Sequence, residues 1–294
     1  MYKIFRTALC LLFVFPLSVI AQASERPQYQ MPRSEVITIQ SKTLGRAYDL
    51  YIKLPPAYKA ERNKERNYRV LYVNDSHYTF QTVAGITHVP MIVGAYEHAI
   101  IVGISFAHGE GALESRSRDF TPFELGPQAK YKHGGAGEYL DFLQDEVIAR
   151  IDDTYRTDRS RRTLIGQSYG GLFGAYALMT APNLFDAFIL SSPSLWSAGG
   201  KIFDLESEVA TSGEKLVGRV YLSTGAGETP AIQGGRNDLV ADQVRFANLL
   251  RSRGHKNLEV RDEIIDGATH PTTFPIGLTR ALMWLHEGPN PRGW

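Results

Sequence analysis

The chain has 294 residues, of which 43% are hydrophobic and 21% charged, and its formal net charge is +1 at pH 7. These values are ordinary for a globular protein that is long enough to bury a sizeable core. The near-zero charge offers no basic field, which argues against nucleic acid as a partner. Beyond the first 20 residues, no window of about 20 apolar residues predicts a membrane span.

The N-terminal segment, 1–23, has the layout of a secretory signal peptide. Basic residues precede an apolar run over 8–20, which ends at the small-residue pattern Ala21-Gln22-Ala23. We expect cleavage after Ala23 because the run is short for a membrane span; an uncleaved anchor helix is the alternative. Cleavage predicts a periplasmic or secreted protein without membrane association. It also removes Cys10, the only cysteine, so the mature chain would have neither a disulfide nor a cysteine nucleophile.

The hydrophobic pattern of the mature chain alternates between strands and helices. Segments 35–41 and 47–55 alternate apolar and polar residues, as in an antiparallel pair of strands. Segments 68–74 and 99–106 are continuous apolar runs, which are typical of strands buried on both faces. Further strands are predicted at 162–167, 185–194, 219–224 and 258–265, and helices from 137 and over 169–181, 240–250 and 273–287.

This alternation predicts an α/β fold with a mainly parallel central sheet and helices on both faces. We expect a single domain over 24–294, with the ligand at the carboxyl ends of the strands. The polar stretch 107–135 shows no clear periodicity, so we expect a long loop that is functional or poorly ordered.

The segment Gly166-Gln167-Ser168-Tyr169-Gly170 matches the pattern G-x-S-x-G. An apolar strand precedes it and a helical pattern follows it, which is the setting of a nucleophile elbow. In such an elbow the serine lies on a strained turn, and glycines avoid collisions between the strand and the helix. A plain glycine-rich turn is the alternative. The context favours Ser168 as a nucleophile.

A serine nucleophile needs a base, and in this fold the partners follow in the order serine, acid, histidine. His270 lies between the last predicted strand and the last helix, where the base belongs; a simple loop histidine is the alternative. For His255 we expect a solvated surface position, and for His286 a capping or surface position.

The acid should follow the strand 219–224, because an orienting carboxylate belongs near a strand end. Glu228 comes first after that strand and is favoured. Asp238 is the alternative, although it is expected on the next helix.

The oxyanion hole needs two backbone N–H groups. Those of Tyr169, directly after the nucleophile, and His77, after the third strand, are the candidates. The His77 side chain either faces the pocket or lies on the surface. The sequence contains no cluster with metal-ligand spacing, so we expect neither a metal nor another cofactor.

Several segments, in the right order, also match a known family: LPPAY (54–58), VLYVND (70–75), RDFTP (118–122), GGAGEYLDFL (134–143), 152–178, SPSLW (192–196) and GATHPTTFP (267–275). In these segments the chain resembles the putative esterase family of α/β-hydrolases, which includes feruloyl esterases, mycolyltransferases and siderophore-hydrolysing enzymes. The resemblance is strongest to the branch with periplasmic siderophore esterases.

The resemblance implies Ser168 as nucleophile, His270 as base and the N–H near His77 in the oxyanion hole. Relatives place Glu or Asp where Glu228 stands, although siderophore enzymes of this type can work without a strong third member. The branch commonly has histidine and leucine where this chain has Gln167 and Tyr169. These departures leave the nucleophile in place, and they make Gln167 a candidate for substrate selection.

Two further residues are candidates for substrate binding. Arg118 and Asp119 border the site of the family, either as a structural pair or with Arg118 contacting the substrate directly. Trp196 is placed either to stack on an aromatic or sugar substrate or to pack against the sheet.

The function expected from the sequence is an exported serine esterase that acts on a small-molecule ester. A ferric siderophore trilactone suits the branch and the compartment. A carbohydrate-linked acetyl or feruloyl ester and acyl transfer to another acceptor are the alternatives. A hydrolase-fold protein that binds a siderophore or glycan without turnover is an alternative of another class. The oligomeric state is left open.

Overall fold

An eight-stranded sheet organises the chain from Pro32 onward. The structure is a computed structural model, and it describes residues 29–235 and 237–292. The predicted signal peptide lies outside the described residues. The chain divides into units 1–31 and 32–294; of the first, the described residues 29–31 form neither helix nor strand.

The strands of the second unit are ordered β1-β2-β4-β3-β5-β6-β7-β8 across the sheet. Strand β2 is antiparallel to both β1 and β4, and every other neighbouring pair is parallel. Their bounds are β1 Ser34–Gln40, β2 Ala47–Lys53, β3 Tyr68–Val73, β4 Ala99–Ile104, β5 Thr157–Gln167, β6 Ala187–Ser191, β7 Gly218–Gly225 and β8 Leu258–Ile265. The predicted mainly parallel α/β fold is confirmed.

Helices cover the sheet and explain its burial pattern. Every residue of β3, β4 and β6 is buried, because central parallel strands are covered on both faces. The edge strand β1 is mostly exposed. The helices are α1 Ser76–Val93, α2 Ala112–Asp119, α3 Ala136–Phe142, α4 Ala149–Thr154, α5 Tyr169–Thr180, α6 Ser197–Ser212, α7 Pro230–Gln233, α8 Leu239–Ser252 and α9 His270–Leu285. A π-helical segment, Leu143–Ile148, joins α3 to α4.

Four helices, α1, α2, α6 and the four-residue α7, were absent from the expected pattern. Helix α2 lies inside the stretch 107–135, so the expectation of one long loop there was wrong. Its buried residues are polar or charged, and hydrophobic periodicity therefore does not reveal it. In α1, threonine and serine interrupt the buried apolar face, and in α6 residues 198–200 have positive φ. Within the described part of the chain, no helix combines the length and apolar character needed to cross a bilayer.

Candidate active site

Ser168 lies at the sharp junction between β5 and α5. Its backbone has φ 58° and ψ −119°, a conformation that a residue with a side chain adopts only under strain. Three backbone hydrogen bonds hold it there: Ser168 N–H donates to Ser191 O at 2.9 Å, and Ser168 O accepts from Leu172 N at 3.0 Å and Ser194 N at 3.1 Å. The geometry is that of the predicted elbow, with the serine presented at the carboxyl edge of the sheet.

The glycines around Ser168 are explained by close approach. A Cβ at Gly166 would lie 2.1 Å from Gly170 O, and one at Gly174 would lie 2.3 Å from the Leu190 side chain. A Cβ at Gly171 would lie 3.0 Å from Pro193 Cα. Strand, turn and helix therefore pack at distances that only glycine permits.

His270 is the first residue of α9, directly after the capping residue Thr269. Its Nδ1 lies 2.6 Å from Glu228 Oε2. Glu228 follows β7 and is fully buried. Because Nδ1 is bonded to the carboxylate, Nε2 is the ring nitrogen that can accept a proton from a serine.

The Glu228 carboxylate is surrounded by donors. Its Oε1 accepts from Ser192 Oγ at 2.6 Å, Thr273 Oγ1 at 2.7 Å and Gly225 N at 2.8 Å. Burial by itself would raise the pKa of Glu228. The hydrogen bonds from His270, Ser192, Thr273 and Gly225 outweigh it, so the pKa lies below its ordinary value. The group beside His270 is therefore an anion at neutral pH.

The other candidates for the acid and the base, Asp238, His255 and His286, have different surroundings. Asp238 is the N-cap of α8 and accepts from Ala241 N at 2.9 Å. His255 is half-buried. His286 caps the C-terminus of α9, but it is buried, with Nε2 3.1 Å from Thr163 Oγ1, so the surface alternative for it was wrong.

Ser168 and His270 share one cleft of about 190 Å³. The side chain of the half-buried Trp196 forms part of its wall, which leaves both predicted roles of this residue open. Ser168 Oγ lies 3.2 Å from Ser194 Oγ. The remaining lining residues are Gln233, Gly235, Asn237 and Leu239.

The Tyr169 ring lies beside the cleft. It is 6.1 Å from the Trp196 ring, and the Arg116 guanidinium lies 5.4 Å from its centroid. Burial raises the pKa of the Tyr169 phenol although Arg116 lowers it. As the first residue of α5, Tyr169 has a backbone N–H without a partner inside the helix, as the proposed oxyanion hole requires.

The Gln167 side chain contacts the backbone of His270 rather than the cleft. Its Nε2 donates to the backbone carbonyl of His270 at 2.6 Å, and its side chain is buried. Gln167 thus ties β5 to the start of α9. A role in substrate selection stays a prediction.

Arg118 is held by carboxylates of its own neighbourhood. Its Nε and Nη2 donate to Asp119, and its Nη1 donates to Glu110. This is the structural pair that the sequence offered as an alternative, and the direct substrate role stays a prediction.

Arg116, which was not predicted from the sequence, is the arginine that contacts the loop beside the elbow. It donates to both oxygens of Asp75 at 3.0 Å, and its stretch offered no periodicity to single it out.

His77 is the second residue of α1 and is exposed. Its ring stacks on Phe106 with centroids 4.7 Å apart and meets Tyr51 edge-on at 6.2 Å. Asp75, two residues before His77, lies close to the elbow. A Cβ atom added at Gly170 would lie 3.2 Å from Asp75 Oδ2. The loops after β3 and β5 therefore meet, and the oxyanion role of the His77 N–H stays a prediction.

No group of three or more His, Cys, Asp or Glu residues suited to a metal ion occurs in 29–235 or 237–292.

The sheet order, the strained serine after β5 and the histidine at the start of the last helix define an α/β-hydrolase fold. The family described as "Putative esterase" matches residues 41–285. The chain therefore belongs to this esterase family, and it is a hydrolase that acts on ester bonds.

Individual relatives extend the comparison. The chain is similar to "Ferri-bacillibactin esterase BesA" of Bacillus subtilis (strain 168), with 27% identity over 283 residues, 89% of this chain and 93% of that protein. It is 41% identical to "Siderophore enterobactin esterase" of Emericella nidulans over 109 residues, 33% of this chain and 36% of that protein.

A solved structure of "BES protein from Bacillus cereus" matches with a TM-score of 0.77 and 26% identity, over 89% of this chain and 98% of that one. An "IroE-like serine hydrolase" from Shewanella oneidensis, with 24% identity over 86% of this chain and 80% of that one, shares the fold at a TM-score of 0.75.

Proposed function

We propose that this chain is an exported serine esterase that hydrolyses an ester bond of a siderophore, with Ser168, His270 and Glu228 as its catalytic residues. The observation that carries the proposal is the strained Ser168 sharing a cleft with a histidine that is bonded to a buried carboxylate.

The reaction follows from these contacts. His270 Nε2 takes the proton of Ser168 as Oγ attacks the ester carbonyl carbon, and Glu228 stabilises the resulting imidazolium. The N–H groups of Tyr169 and His77 hold the oxyanion. The alcohol leaves with the proton from His270, and water then hydrolyses the acyl-enzyme by the same route.

The substrate class is supported by the relatives. BesA, similar over most of its length, is named as an esterase of ferri-bacillibactin, and the Emericella relative as an esterase of enterobactin. We propose a ferric siderophore trilactone as the natural substrate. The aromatic Trp196 on the cleft wall favours a carbohydrate-linked feruloyl or acetyl ester as the second candidate.

The experiment is hydrolysis by the chain 24–294 of p-nitrophenyl acetate, of ferric enterobactin and of a feruloylated oligosaccharide, with chromatography of the products. We expect Ser168→Ala to reduce turnover at least about 10³-fold, because alanine has no hydroxyl to form the acyl-enzyme. Ser160→Ala, an exposed serine on the same strand, is the matched control. Full turnover by Ser168→Ala would overturn the assignment.

Two further measurements separate the alternatives. A fluorophosphonate that labels Ser168 excludes a protein that only binds its ligand, and products formed with added alcohol acceptors reveal acyl transfer. Export is tested by N-terminal sequencing of the protein recovered outside the cytoplasm. The expected first residue is Ser24, and an N-terminus at Met1 contradicts cleavage.

A further inference from the structure

Two serines of the segment after β6 reach the proposed catalytic groups. Ser192 Oγ donates to Glu228 Oε1 at 2.6 Å, and Ser194 Oγ lies 3.2 Å from Ser168 Oγ. Ser192 supports the acid and so has a defined place in the mechanism above. The hydroxyl of Ser194, which lines the cleft beside the nucleophile, has no part in that mechanism.

Burial decides which of the two hydroxyls donates. Ser194 is 2% exposed, whereas Ser168 is half-buried and opens onto the cleft. A buried hydroxyl proton is costly to leave without an acceptor. Among the described residues, Ser168 Oγ is the hydrogen-bond partner of Ser194 Oγ, so the Ser194 proton lies on that bond. The Ser168 proton is then free to point elsewhere, into the cleft that Ser168 shares with His270.

The donor is also held in place before any substrate binds. Ser194 N–H donates to Ser168 O at 3.1 Å, which couples the backbones of the two serines. Ser192 N–H donates to Ser223 O at 2.6 Å, which anchors the same segment to β7. Pro193 packs against α5, because a Cβ at Gly171 would lie 3.0 Å from its Cα. A donor fixed in this way keeps its direction as charge develops on the atom it faces.

We infer that Ser194 is a further catalytic residue, whose hydroxyl donates to Ser168 Oγ and directs the Ser168 proton to His270. This inference rests on the proposed function. In acylation the Ser168 O–H bond breaks, its proton goes to His270 Nε2, and Oγ forms the bond to the carbonyl carbon. In deacylation the bond between Oγ and the carbonyl carbon breaks, and Oγ regains a proton from His270. The Ser194 proton stays on its own oxygen throughout.

The test compares Ser194→Ala and Ser194→Cys with the parent chain. The rate of Ser168 labelling by a fluorophosphonate and the burst rate with p-nitrophenyl acetate both report attack by Oγ. We expect Ser194→Ala to slow both about tenfold, as for the loss of one hydrogen bond, with a smaller effect on KM. Ser194→Cys, with similar volume and a weaker donor, should fall between Ser194→Ala and the parent. Ser207→Ala, a serine of α6 bonded to Phe203 O, is the control.

A double-mutant cycle distinguishes a direct contact from a general packing effect. In the Ser168→Ala background, adding Ser194→Ala should leave the residual turnover unchanged, since the acceptor oxygen is absent. Rates equal to or above those of the parent in both Ser194 variants would overturn the inference, because the hydroxyl would then only restrain the nucleophile. If Ser194→Ala does not fold, Ser194→Cys decides alone. If the Ser168→Ala variant is active, the proposed function is contradicted. If Ser168→Ala is inactive and the Ser194 variants keep the parent rates, only this inference is contradicted.

Discussion

The Glu228 carboxylate is buried and yet ionised. Burial disfavours its charge, but four donors compensate: the His270 ring, the Ser192 and Thr273 hydroxyls and the Gly225 N–H. Its pKa is consequently below the ordinary value. Its stabilising effect on the fold is present above the ordinary pKa of a glutamate and is lost as the pH falls through the lower pKa of the folded state.

Replacing Glu228 by Gln tests this residue in catalysis. The amide keeps the shape but cannot balance the imidazolium charge that forms on His270. We expect kcat/KM for p-nitrophenyl acetate to fall by roughly 10²-fold or more. Asp238→Asn is the matched control, because Asp238 caps α8 and does not contact His270. Equal effects of the two substitutions would contradict the assignment of Glu228.

At the scale of single residues, the sequence predicted the types of the candidate site residues and their order along the chain better than it predicted their contacts. It placed Ser168, Glu228 and His270 in the order that the fold requires, and it favoured Glu228 over Asp238. It did not reveal that Gln167 holds the His270 carbonyl or that Arg116 binds Asp75. Such contacts join residues that are far apart in the chain, and no local spacing encodes them.

At the scale of elements, the elbow depends on the close packing of β5 against α5. We expect Gly166→Ala to lower the free energy of unfolding by about 3 kcal/mol or more, since its Cβ would lie 2.1 Å from Gly170 O. Gly85→Ala in α1 should raise it by about 1 kcal/mol, because nothing lies within 4 Å of its Cβ and alanine favours the helix. Urea unfolding of both variants measures the difference. Similar shifts in both would contradict the close-packing argument.

The elements themselves were predictable to different degrees. All the strands were predicted; the buried parallel strands β3, β4 and β6 are continuous apolar runs, and the pair β1–β2 alternates. Helices α1, α2, α6 and the short α7 were missed. Helix α2 buries Arg118 and Asp119 as an ion pair, and a polar buried face leaves no apolar period to find.

At the scale of the whole molecule, a second buried polar network lies away from the cleft. The fully buried Arg69 donates to Asp186 at 3.1 Å and to Thr163 Oγ1 at 3.2 Å, and His286 bonds the same hydroxyl. Burial lowers the pKa of His286 well below its ordinary value, and the charges of Arg69, Arg219 and Arg161 lower it further. His286 is therefore neutral in the folded protein.

This network predicts a loss of stability in mild acid. As the pH falls below about 6.5, the unfolded chain protonates this histidine and the folded chain does not, so stability falls by up to about 1.4 kcal/mol per pH unit. We expect His286→Asn to remove part of this slope between pH 7 and 5.5 in urea unfolding. His98 and His255, whose pKa values burial also lowers, contribute to the remainder. An unchanged slope in His286→Asn would contradict the prediction; His88→Asn, on α1, is the control.

The sequence by itself determined the fold class, the strands and the elbow, because these depend on local periodicity and on glycine at a strained turn. It also predicted the order of nucleophile, acid and base. Only the tertiary structure decided which carboxylate bonds His270, which arginine reaches the elbow, and that Ser194 faces Ser168. The physical reason is that a parallel sheet brings the ends of distant strands to one edge, so contacts there depend on packing between segments rather than on spacing within them.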